Sequence, residues 1–286
     1  MAEQSDFQSK DPIAWCPGCG NFGILNALKQ ALAEMELKPE DILLVSGIGQ
    51  AAKLLHYMKG NTFNGLHGRT LPVATAAKIV NPGLTVIAVG GDGDGYAEGG
   101  NHYIHAMRRN IDIAYMVHNN QIYGLTKGQA SPTSDEDMKT GTTPDGNYIC
   151  PERPLALAVA SDCSWVARGF VLEKEHLVYL MKQALKNRGF SLLEILQPCV
   201  SFNKRNTFDW YRERTYKLEQ TSYDPTDRAS AFQKALEWGE SIPIGVIYRS
   251  PSRQSYLEKA GLNETGPLIT KKRDPAAVES LYSEFQ

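Results

Sequence analysis

Two patterns in this sequence place chemistry-bearing side chains at fixed spacing. The first is WCPGCG, which sets Cys16 and Cys19 three residues apart in a Pro/Gly turn that opens onto an apolar run. Thiols so placed can form a disulfide, grip zinc, hold an iron–sulfur cluster or act as a redox pair. The second is TVIAV running into GGDGDGYAEGG. A glycine-rich turn between strand and helix brings backbone N–H groups and a positive helix end up to phosphate. This turn also carries Asp92 and Asp94. A bare carboxylate repels phosphate, and a divalent cation between them turns repulsion into attraction. Magnesium prefers oxygen ligands and typically shares one or two carboxylates with substrate phosphates. Further oxygens must come from a neighbouring strand end, where IAYMVHNN offers Asn119 and Asn120, the latter 28 residues after Asp92.

Commoner glycine-loop readings fail. Counting G-x-G-x-x-G from Gly91 puts Tyr96 where the third glycine belongs. There is no Gly-Lys pair for a Walker loop, and Tyr96 and Tyr103 fall at ligand positions of a calcium hand. The bland alternative is a tight turn with solvated aspartates and a strand capped by Asn-Asn. Strand, GDG, helix, strand and asparagine in that order make it the weaker account.

The elements that must position these groups are short apolar blocks alternating with helical stretches. Strands are expected over 42–45, 85–89, 113–118 and 191–196, and helices over 23–35, 71–80, 99–109, 155–161, 174–187 and 229–240. Strands apolar on both faces and separated by helices describe an α/β fold, a mostly parallel sheet covered on each side. Ligands in such sheets sit beyond the carboxyl ends of the strands, which here means residues 46–50, 90–95, 119–127 and 197–200. Two stretches break the alternation. Residues 126–154 form a polar loop long enough to suggest function. After about Ser201 the chain turns charged and aromatic and reads as an extension outside the sheet. The expected division is therefore 1–200, a cofactor-binding domain with its cysteine segment, and 201–286, an extension for contacts between subunits.

Composition narrows the function. The 286 residues carry a net charge of −2, with 42% hydrophobic and 22% charged residues, which gives no electrostatic footprint for nucleic acid. No apolar run approaches the ~20 residues of a membrane span. The polar N-terminus lacks a signal-peptide core, so a cytoplasmic location is expected. Five cysteines, an odd count, argue against a disulfide framework and favour metal or redox duty.

Gly91, Asp92 and Gly93 with Asn120 resemble the magnesium–diphosphate motif of thiamine diphosphate enzymes. With WCPGCG, SGIGQAAK, FNGLHGR, GGDGDGYAEGGNHYIHAMRRN, HNNQIYGLTKGQASPTS and QPC, the sequence resembles, over nearly its whole length, the β subunits of 2-oxoacid:ferredoxin oxidoreductases, the 2-oxoglutarate members most of all. The resemblance implies Mg2+ held by Asp92, Asn120 and the carbonyl of Ile122, and a [4Fe–4S] cluster held by Cys16, Cys19 and Cys199. It implies cofactor contacts from Ile48, Gly49, Gln50 and Ala51, from His67, Gly68, Arg69 and Thr70, from Asp94, and from Gly124 and Leu125. Lys53 and Lys127 are candidates for the substrate carboxylates, with solvated surface charge as the alternative for each. One position departs from the pattern: many relatives carry the fourth cluster cysteine where this chain has Gln50. Cys150 is a possible substitute, while Cys163 reads as a core thiol in a helical stretch. The implied reaction is CoA-dependent oxidative decarboxylation of a 2-oxoacid, with electrons leaving through the cluster to ferredoxin, reversible as reductive carboxylation. No second α/β domain is evident, and the resemblance implies that a separate α subunit supplies the glutamate that activates the cofactor. A pyruvate-specific relative, a non-oxidative thiamine lyase or synthase, and a bare electron-transfer module are the competing readings.

Overall fold

The computed structural model describes residues 2–264, 266–272 and 274–285. Its centre is an eight-stranded sheet. In chain order the strands among the described residues are β1 (Ile42–Ser46), β2 (Asn61–Asn64), β3 (Thr85–Gly91), β4 (Ala114–Asn119), β5 (Ile122–Tyr123), β6 (Gln129–Ala130), β7 (Trp165–Phe170), β8 (Ser191–Leu196), β9 (Thr215–Lys217) and β10 (Ile242–Arg249). The large sheet runs β2-β1-β3-β4-β8-β7-β10-β9, while β5 and β6 pair as a separate two-stranded ribbon. Every pairing in the large sheet is parallel except β7 with β10.

Helices α1 (Asn21–Glu34), α2 (Thr70–Val80), α3 (Gly100–Arg109), α4 (Pro154–Ala160), α5 (Lys174–Lys186), α6 (Phe208–Arg212) and α7 (Arg228–Leu236) flank it, followed by α8 (Tyr256–Lys259) and α9 (Pro275–Ser283). One apolar core joins α1 and α5 to the sheet, and the other joins α2, α3, α4 and α7 to its opposite face. Burial on both faces explains why β4, β7 and β8 are buried at every position and show no alternation of apolar and polar residues.

The predicted strands and helices are present with ends displaced by a residue or two, except that the helix expected over 229–240 ends four residues early, at Leu236. The structure corrects three expectations. WVARGF, outside the expected strands, forms β7. Arg168 stands opposite Glu194 of β8 in the strand register, and the two side chains form an ion pair of 2.8 Å. The segment after Ser201 does not stand outside the sheet: it contributes β9 and β10, and Tyr211, Ile244, Ala231 and Ile247 enter the two cores. Pro243 and Gly245 mask β10 in the sequence. Cys163 is buried as expected, but it follows α4 rather than lying within a helix.

The chain leaves β1 for β2 on one side and returns to β3 on the other. This reversal opens a crevice at the carboxyl ends of β1 and β3, the place where open α/β sheets bind ligands. Among the described residues no helix is long and apolar enough to cross a membrane.

Candidate active site

The crevice is lined by Ile48, Gly49, Gln50 and Ala51 after β1, by His67, by Gly91, Asp92, Gly93 and Asp94 after β3, and by Asn120, Ile122, Tyr123, Gly124, Leu125 and Thr126 after β4. Asp92 is 2% exposed. The hydroxyls of Ser131 and Thr133 each donate to the same Asp92 carboxylate oxygen at 2.6 Å. Burial pushes the Asp92 carboxyl up to about 6, outweighing these donors. A carboxylate held where its own charge is costly is the group a divalent cation stabilises most.

The two adjacent asparagines have different tasks. Asn119 faces inward: its amide nitrogen donates to Glu194 at 3.0 Å, and its oxygen accepts from Thr133 at 2.9 Å. Asn120 lines the crevice, its oxygen accepting from the Ile122 N–H at 3.1 Å. A buried chain therefore runs from Arg168 through Glu194, Asn119 and Thr133 to Asp92. Gln121 adopts the left-handed region at φ 56°, which turns the backbone back so that Ile122 returns to the crevice wall.

Asp94 does something else. Its carboxylate accepts from the backbone N–H groups of Ile48 at 3.0 Å and Gly68 at 2.7 Å, and from the Thr70 hydroxyl at 3.3 Å. It ties the loops after β1 and before α2 to the glycine turn. Gly47 makes room for it, since a Cβ there would lie 2.2 Å from an Asp94 oxygen. Gly68 and Thr70 thus stand behind the crevice wall. Arg69 pairs with Glu98 at 3.2 Å on the surface. Lys53 and Lys127 lie outside the crevice lining. Lys127 is exposed, at φ 75°. Neither lysine is brought to the site by this chain.

A second cavity adjoins the first. Trp15, Cys16, Cys19, Asn21, Gln50, Asn120, Gly124, Gln197, Cys199 and three residues after it line it. Ser201 donates to Cys16 Sγ at 3.1 Å and Gln197 to Cys19 Sγ at 3.6 Å. The expected thiols meet here, while Cys150 is exposed and lies outside this lining. Burial pushes the Cys19 thiol up. Buried His118, pushed down to about 3, faces Asn21 at 2.8 Å as a neutral ring. Among the described residues no three His, Cys, Asp or Glu side chains converge on a single ion position.

Sequence reasoning gave no role to Ser131, Thr133, Tyr123 or Gln197. SPTS lies in a polar loop, and only its fold-back over β4 marks its hydroxyls as Asp92 partners. A cavity of about 330 Å3 opens at the other end of the sheet, lined by Lys78, Asp112 and Arg188 among others. It lies at the amino ends of the strands, and the Lys78 ammonium is committed to the Pro82 and Leu84 carbonyls.

A parallel sheet with an acidic glycine turn at its switch point defines a thiamine diphosphate-binding domain, and residues 47–195 match the family model described as thiamine pyrophosphate enzyme, C-terminal TPP binding domain. Residues 199–263 match the model for the C-terminal part of the pyruvate ferredoxin oxidoreductase beta subunit. The chain belongs to the β subunits of the 2-oxoacid:ferredoxin oxidoreductases. It is 43% identical to the 2-oxoacid:ferredoxin oxidoreductase subunit beta of Saccharolobus solfataricus, over 86% of this chain and 84% of that one. It is 37% identical to the 2-oxoglutarate synthase subunit KorB of Methanocaldococcus jannaschii, over 69% and 73%. A solved 2-oxoglutarate:ferredoxin oxidoreductase from Magnetococcus marinus, with 2-oxoglutarate, coenzyme A and succinyl-CoA bound, superposes with a TM-score of 0.90 at 34% identity, covering 98% of this chain and 95% of its own.

Proposed function

We propose that this β subunit works on 2-oxoglutarate, converting it with CoA and two oxidised one-electron ferredoxins into succinyl-CoA, CO2, a proton and two reduced ferredoxins, in the cytoplasm. The observation that carries this is the common wall between the two cavities: Gln50, Asn120 and Gly124 line both. A diphosphate–metal site and a thiol site so close suit chemistry in which electrons leave the cofactor one at a time. The names of the 2-oxoglutarate relatives support the substrate over pyruvate.

The residues fit the groups. Asp92, Asn120 and the Ile122 carbonyl offer hard oxygens suited to Mg2+, and Cys16, Cys19 and Cys199 offer the thiolates a [4Fe–4S] cluster takes. Thiamine diphosphate, when bound, supplies the electron sink that stores the charge released by decarboxylation. This chain's share is placement. Ser131 and Thr133 fix the Asp92 carboxylate, Asp94 clamps the loops that would face the diphosphate, and Tyr123 covers Gly93, its hydroxyl donating to the Gly93 carbonyl at 3.2 Å. With Lys53 and Lys127 outside the crevice, cations for the substrate carboxylates come from the α subunit, which also brings the activating glutamate.

The test is co-expression with that subunit and assay against a panel of 2-oxoacids. Asp92→Asn is expected to weaken Mg2+-dependent thiamine diphosphate binding about 100-fold or more, read by calorimetry, with the thiols untouched. Retained binding would sink the assignment. A colourless complex without iron or sulfide would favour the non-oxidative reading.

A further inference from the structure

Gln50 occupies a place no thiol fills. Its backbone carbonyl accepts the Trp15 indole N–H at 2.9 Å, which ties it to the residue before Cys16. Its side chain lines the thiol cavity with Cys16, Cys19 and Cys199. A Cβ built on Gly124 would lie 3.9 Å from both Gln50 Cγ and Cys199 Sγ, so glutamine and thiol flank one point of the wall. The Gln50 amide oxygen is buried without a hydrogen-bond partner. A buried carbonyl-type acceptor left unpaired is destabilising, and a cation is one partner that removes the cost. Cys150, the other candidate, is exposed and outside this cavity.

We propose that Gln50 is the fourth protein ligand of the iron–sulfur cluster, its amide oxygen binding the iron that the three thiolates leave open. This rests on the cluster reading above. A neutral oxygen in place of a thiolate makes the cluster one unit less negative, which moves its reduction potential upward. The same substitution leaves one iron weakly held. On oxidation by ferricyanide, the 2+ cluster gives one electron to the oxidant and releases that iron as Fe2+, leaving a three-iron cluster of charge 1+.

The experiment uses the co-expressed αβ complex, purified without oxygen, as wild type, Gln50→Cys, Gln50→Leu and Cys150→Ser. Iron and acid-labile sulfide are measured first, then the EPR spectrum before and after ferricyanide, and the potential by redox titration. Expected are a three-iron signal in oxidised wild type, its loss in Q50C together with a downward shift in potential, and no change in C150S. Faster iron loss is expected in Q50L. Wild type and Q50C alike in spectrum and potential, with iron present in both, would overturn the ligand assignment alone. So would loss of the cluster in C150S. Iron and sulfide absent from every form would overturn both the assignment and the cluster reading beneath it.

Discussion

At the residue scale the site depends on a carboxylate kept where it is least comfortable. Asp92 sits near 6 rather than its ordinary 3.8 because burial penalises its charge. Its folded-state value is raised, so the folded chain binds more protons than the unfolded chain between those two values, and stability falls as pH rises through that window. In the metal-free protein this amounts to about 2 kcal/mol between pH 4 and 7. The Asp92→Asn variant should lose that dependence, and so should wild type saturated with Mg2+ and cofactor; urea melts at the two pH values check it. Gly93 offers a second test. A Cβ there would lie 2.1 Å from the Tyr123 ring, so Gly93→Ala should displace Tyr123, cost about 1–3 kcal/mol of stability and weaken cofactor binding. Replacing Tyr123 as well, with alanine, should restore part of both.

At the element scale, β7 and β8 carry charge through the core to the site. Arg168 and Glu194 are almost fully buried, Glu194 also holds Asn119, and the Arg168 guanidinium stacks over Trp238 at 5.4 Å. Removing one partner of such a pair strands a buried charge. Arg168→Met is therefore expected to destabilise the fold by about 3–5 kcal/mol in denaturant titration. Glu194→Gln should cost less in stability, because its amide can still accept from Asn119. It should weaken Mg2+ and cofactor binding by about 10-fold, through Thr133 and Asp92. Equal loss in stability and binding for the two variants would argue that the network only holds the strands together.

At the scale of the whole molecule, the proposed function requires a partner at the crevice. This chain supplies one α/β unit, an Asp92–Asn120 pole and the thiol cavity, but no lysine of its own reaches the crevice from position 53 or 127. The chain purified alone should bind cofactor weakly and show no turnover, and adding the α subunit should restore both. Turnover by the isolated chain would refute the shared-site account. Exposed Tyr148 and Ile149, 79% and 74% accessible in the long loop, are candidate contacts for that partner.

Much of this was legible from residue order. The GDG turn, the asparagine 28 residues on and the CxxC pair bear their chemistry in local spacing, and strands buried on both faces declare themselves as short apolar blocks. What residue order could not give depends on side chains meeting across the sheet. β7 hid because a charged residue in a core strand looks wrong until Glu194 stands beside it in register. β10 hid because proline and glycine look like breakers until neighbouring strands accommodate them. The hydroxyls on Asp92 and the inward turn of Asn119 onto Glu194 are likewise tertiary facts. Each is decided by which groups burial leaves without water and which partners the fold then brings within reach.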